Sequence, residues 1–107
     1  MYRVTVRRGP KVEHSSEPTL EQALEAVQRH ASRAPRRDTV EFISRRYEPG
    51  DLVAARIELK GSGVRAGLDV RGDGSTVAWT GRLRRAVIEP RPGEDAYAAL
   101  RRTLVTA

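Results

Sequence analysis

Cysteine and asparagine are absent from this chain of 107 residues, lysine occurs at two positions, and there is one tryptophan and one phenylalanine. Without cysteine there is no disulfide, no thiolate metal site and no cysteine nucleophile, a usage that suits a reducing compartment. No run of apolar residues is long enough to span a membrane as a helix. The opening residues, MYRVTVRRG, carry neither an apolar h-region nor a small-residue cleavage site. No secretory leader is therefore expected, and the cytoplasm is the expected location. Rings for stacking on bases are scarce, and Trp79 and Phe42 are expected in the sheet and core. That scarcity points away from base stacking and toward contacts with nucleic-acid shape and backbone.

Charge is what the chain has in abundance. Charged residues make up 32% and hydrophobic ones 38%, so the core has to be lean, yet the apolar positions recur regularly enough to build one. A net charge of +6 makes an anionic partner a reasonable expectation. Arginine outnumbers lysine 18 to 2. Arginine, alanine, glycine and proline have GC-rich codons, so a GC-rich genome explains that preference without selection for bidentate phosphate contacts. The length implies a single domain, residues 1–107.

Two periodicities alternate along the chain. YRVTVRR places Tyr2, Val4 and Val6 on one face and Arg3, Thr5 and Arg7 on the other, a half-buried strand. Gly9-Pro10 marks a turn, and KVEHS can return as a second strand. Thr19 and Gln22 form a capping-box pattern ahead of Leu20, Ala23, Leu24, Val27 and Ala31, one apolar helical stripe that Pro35 terminates. TVEFISRRY and LVAARIELK then read as two strands joined by the Pro-Gly turn in EPGD. VRAGLDVR follows a GSG turn, and GDGS leads into TVAWTGRLRRAVIE, a run with a bulge or bend expected at Gly81. Pro90 and Pro92 close the sheet, and GEDAYAALRRTLV reads as a last helix with Ala96, Tyr97, Leu100 and Leu104 inward. The expected fold class is α+β, a mainly antiparallel sheet of four to six strands with two helices on one face, in the order β-(β)-α-β-β-β-β-α.

Several short motifs approach known chemical signatures. GSGVRAG has Ala66 where a dinucleotide loop needs its last glycine, and a strand follows instead of a helix. DVRGDG begins like a calcium loop, but Arg71 takes a ligand position and Thr80 stands where a bidentate Glu is required. Arg71-Gly72-Asp73 is the adhesion tripeptide, in a chain for which no export signal is expected. His14 and His30 have no second ligand at metal spacing, and no nucleophile has an evident base. The sequence therefore offers no catalytic residues, no metal ligands and no cofactor site. The basic clusters remain, and Arg82, Arg84, Arg85, Arg101 and Arg102 are the candidate phosphate contacts. In a continuous strand Arg82 and Arg84 would share a face and Arg85 would point the other way.

The stretch GEDAYAALRRTL, through Gly93, Asp95, Tyr97, Ala98, Ala99 and Leu100, resembles the closing helix of ribosome hibernation promoting factors. The element order is also similar, if the first hairpin and one later strand are additions. The resemblance implies a non-enzymatic protein that binds the small ribosomal subunit through basic helical faces. Carried onto this chain it points to Arg101 and Arg102. KVEHSSEP and LKGSGVRAGLDVRGDGS depart from the family pattern. The functional expectation is a non-enzymatic RNA-binding or ribosome-associated domain using arginine clusters on phosphates. The alternative is a protein-interaction or structural module, homodimeric through the sheet.

Overall fold

A computed structural model describes residues 1–33, 40–42, 45–47, 53–81 and 84–105, with backbone only at 40–42 and 45–47. Its elements are β1 (Tyr2–Arg8), β2 (Lys11–Glu17), α1 (Leu20–Ser32), β3 (Val40–Phe42), β4 (Arg45–Tyr47), β5 (Val53–Gly61), β6 (Val64–Arg71), β7 (Thr76–Thr80), β8 (Ala86–Val87) and α2 (Ala96–Val105). Six strands form one antiparallel sheet in the order β2-β1-β5-β6-β7-β8, while β3 and β4 pair only with each other. This is the expected α+β class.

Local chemistry accounts for most of the elements. Gly9 has φ 58° and Pro10 follows it, a two-residue turn of the II′ kind that closes β1 onto β2 with Arg8 opposite Lys11. At the head of α1 the Thr19 hydroxyl accepts the Gln22 backbone N–H at 3.1 Å and donates to the Gln22 side-chain carbonyl at 3.1 Å. Ahead of α2, Asp95 accepts the Ala98 N–H at 2.7 Å, so its carboxylate caps the helix. Ser62 and Gly63 both have positive φ, the two-residue hairpin turn that GSG was expected to make.

Both helices lie on the same face of the sheet. Val4 and Val6 of β1, Ile57 and Leu59 of β5, Leu68 of β6 and Ala78 of β7 meet Ala23, Leu24 and Val27 of α1 and Ala96 and Leu100 of α2 in one buried core. A register shift between Val53 and Ala55 turns both Ala54 and Ala55 inward. No described helix is long and apolar enough to cross a membrane.

Two expected strands take different forms. TVEFISRRY does not run as one strand beside LVAARIELK. It folds back on itself, with Val40 opposite Tyr47 and Phe42 opposite Arg45. The reason is occupancy, because β5 already has β1 on one side and β6 on the other. Nor does TVAWTGRLRRAVIE continue past a bend. The chain reverses after Thr80, and Ala86 comes back opposite Thr80, with Val87 opposite Trp79. Gly81 makes the reversal possible with φ 128°, and its N–H donates to the Arg65 carbonyl at 3.0 Å. Pro35, the EPGD turn and the side chain of Phe42 lie outside the described residues.

Candidate nucleic-acid interface

The strand alternation that fills the core sends the intervening side chains to the face no helix covers. Register then aligns them in rows. Arg3 of β1 is opposite Lys60 of β5, and Lys60 is opposite Arg65 of β6. Two rows along, beyond Thr5 opposite Glu58, Arg7 is opposite Arg56, and Arg56 is opposite Asp69. Arg71 follows on the same face of β6 by alternation. The described strands contribute two carboxylates to this face, Glu58 and Asp69, and each is engaged by an arginine. Arg65 meets Glu58 at 2.8 Å. Arg56 clasps Asp69 through both oxygens, Nε to Oδ1 at 3.0 Å and Nη2 to Oδ2 at 3.2 Å. Among the described residues no acid pairs with Arg3, Arg7 or Lys60.

Directly opposed like charges cost a sheet stability. Here they recur at Arg3–Lys60, Lys60–Arg65 and Arg7–Arg56. The result is an excess of positive charge on the helix-free face. At one end of it Arg3, Lys60 and Ser16 line a hollow of about 360 Å³ with Tyr2 and Gly61. Two cations and a hydroxyl around an open concavity are the groups that hold a phosphate.

The same face carries Trp79, which is only 2% exposed although it lies outside the helix-covered core. Its indole rests on Gly67, the residue directly opposite it on β6. Its N–H donates to Asp69 Oδ1 at 3.2 Å, which ties the ring to the Arg56–Asp69 clasp. Arg85 covers the outer side with its guanidinium 4.2 Å from the ring centroid. The ring therefore offers no bare platform to a base, and Arg85 presents the outer surface instead.

The residues expected to hold phosphate are dispersed. Arg82 lies outside the described residues. Arg84 is exposed in the reversal between β7 and β8, so the strand geometry expected for it does not apply. Arg85 reaches the open face through Trp79. Arg101 and Arg102 belong to α2, on the opposite side of the sheet, and both are engaged within the molecule. Arg101 pairs with Glu21 of α1. Arg102 Nε meets Glu94 at 2.9 Å, and its Nη2 donates to Glu94 at 3.1 Å and to the Glu89 carbonyl at 3.4 Å. The Arg102 hydrogen bond, with the Arg91 N–H, holds the Glu94 carboxyl below the usual carboxylate range.

Other titratable groups have local roles. Asp73 folds back to accept from Ser75, N–H at 2.8 Å and hydroxyl at 2.6 Å, which commits the adhesion-like tripeptide to its own turn and lowers the Asp73 carboxyl. His30 sits half-buried on α1, its Nδ1 3.4 Å from Arg8 Nη2. Burial first, then the charges of Arg8 and Arg29, push its imidazole below 6.5. A second hollow of about 210 Å³ lies beside the helices, between Gln28, Ser32, Thr76, Asp95 and Tyr97. Its one carboxylate, Asp95, is occupied as the cap of α2.

The residues that sequence reasoning missed are Arg3, Arg7, Arg56, Lys60 and Arg65. Each was legible as the polar half of an alternating strand, but only register shows that they are neighbours. No family model, no curated protein and no solved structure was found to match the chain.

Proposed function

We propose that this is a non-enzymatic RNA-binding domain that grips the phosphate backbone with the helix-free face of its sheet. The supporting observation is the pair of cross-strand rows, Arg3–Lys60–Arg65 and Arg7–Arg56, in which cations face cations while Arg3, Arg7 and Lys60 have no described acidic partner. A bound polyanion relieves that repulsion and gains from it. Arg101 and Arg102, engaged with Glu21 and Glu94, serve the packing of α2 in this reading. The buried state of Trp79 favours backbone contacts over base stacking. The reading sets the protein in the cytoplasm. The closing-helix resemblance makes the small ribosomal subunit the first RNA-bearing particle to test, by co-sedimentation.

The direct experiment is fluorescence polarisation with labelled single-stranded and duplex RNA over a series of salt concentrations. Binding should tighten steeply as salt falls, with little dependence on sequence. Arg3→Glu combined with Lys60→Glu should weaken it by at least about tenfold and flatten the salt slope. No binding at micromolar protein in low salt would overturn the proposal.

A further inference from the structure

β2 is the open edge of the main sheet, seven residues long, and among the described residues nothing pairs with its outer side. Its residues from Lys11 to His14 are exposed, and Val12 is among the exposed large apolar side chains. Such an edge is a template for another strand unless something blocks it. β2 contains no proline and no bulge, and its pairing with β1 is regular from end to end.

We infer that β2 pairs antiparallel with β2 of a second copy of this chain, centred on His14, to form a homodimer with one continuous sheet. The inference goes beyond the RNA-binding reading and stands without it. Symmetry restricts the register. A two-fold axis perpendicular to the sheet must pass midway between a residue and its own copy, because opposed residues in an antiparallel pair point to the same face. Only centres at Glu13, His14 and Ser15 pair five or more residues of β2, and among these charge selects the residue. Centred on Glu13, the pairing sets that carboxylate against its own copy. Centred on Ser15, it sets Glu13 against the second copy's Glu17, twice. Centred on His14, it sets Lys11 against the second copy's Glu17 at both ends and Glu13 against the second copy's Ser15, so every like-charge opposition disappears. Ser15 Oγ is buried and has no hydrogen-bond partner among the described residues, and this register brings a carboxylate toward it.

The backbone geometry agrees. In a two-residue hairpin the residues flanking the turn, Arg8 and Lys11, form a hydrogen-bonded pair. Alternation then leaves the N–H and C=O groups of Val12, His14 and Ser16 pointing outward. The His14-centred register joins those groups: His14 with His14, and Val12 with Ser16. Because the axis is perpendicular to the sheet, the helix-free faces of both copies lie on one side. The Arg3, Arg7 and Lys60 rows of the two copies thus form a single surface.

Sedimentation equilibrium of the full chain over a range of concentrations tests the dimer, and charge exchange tests the register. Lys11→Glu and Glu17→Lys should each weaken self-association by about tenfold, and the double exchange should restore it. His14→Pro removes an outward N–H that the folded monomer does not use and should leave a folded monomer. Cross-linking supplies a second readout. Across the proposed axis the two His14 Cα atoms would stand about 5.5 Å apart, within the roughly 4.4–6.8 Å span of a disulfide. His14→Cys, in a chain with no other cysteine, should give a covalent dimer on mild oxidation, whereas Val12→Cys should not. A monomer at every concentration would overturn the inference. So would a dimer indifferent to both single reversals, or cross-linking through position 12 in preference to 14.

Discussion

The guanidinium of Arg85 stands 4.2 Å from the centroid of the Trp79 indole, on the face of the sheet that no helix covers. A large aromatic ring at 2% exposure is thereby kept from water by one charged side chain on the short reversal after Gly81. Because Trp79 is the only tryptophan, the contact can be read by fluorescence. Arg85→Ala should shift the emission to longer wavelength and raise acrylamide quenching, with a stability loss of about 0.5–1 kcal/mol. An unchanged spectrum would show that the β7–β8 reversal covers the ring without Arg85.

Gly67 has the opposite sensitivity. A methyl group there would overlap the Trp79 ring and come within 2.5 Å of the Ile57 carbonyl oxygen, a backbone atom in the middle of the sheet. The neighbouring strand cannot retreat without breaking its ladder. Gly67→Ala should therefore cost about 3 kcal/mol, the upper end of overpacking penalties, seen as a lower urea midpoint. Trp79→Leu in the same background should recover part of the loss, since it removes one of the two obstructions.

His30 predicts a pH dependence of a definite sign. Its folded imidazole is held below 6.5 by burial and by Arg8 and Arg29, whereas the unfolded chain takes up a proton at the ordinary value. The unfolded state therefore binds more protons in the window between the two values, and stability falls as pH drops through it. The loss is complete once the folded imidazole is also protonated. Thermal melts from pH 7.5 to 5 should show this decline, and His30→Gln should reduce its slope.

Arg102 and Arg3 separate a structural role from the proposed binding role. Arg102→Gln removes the contacts to Glu94 and Glu89 that hold the segment entering α2, so it should lower the melting temperature and leave RNA affinity nearly unchanged. Arg3→Gln removes a cation with no described acidic partner and should do the reverse. Equal effects of both variants on affinity would return α2 to the binding surface.

What could be read from the sequence depends on the range of the information. α1 was legible to within a residue of its start, because Thr19, Gln22 and the stripe from Leu20 to Ala31 lie within a few turns of one another. The alternation of β1 and β6 was equally local, but in β5 the expected apolar face of Val53, Ala55, Ile57 and Leu59 loses Val53, which the register shift before Ala55 leaves exposed opposite Arg71. The proposed binding face was not local. Arg3 and Lys60 are 57 positions apart, and their adjacency is a property of β1 joining β5 across the intervening helix. Contiguous clusters such as Arg101-Arg102 drew attention because they are visible in one dimension, yet the two side chains part toward Glu21 and Glu94. Gly81 announced a break in its strand, but a bend and a complete reversal begin with the same glycine.

The two edges of the sheet are unlike, and this sets a limit on growth. β8 is two residues long and is followed by Pro90 and Pro92, which offer no N–H to an incoming strand. Among the described strands of this sheet only β2 offers an edge for recruitment, and in the proposed dimer each copy has used that single margin. Assembly through this sheet is self-terminating: it yields a finite particle and never a fibre.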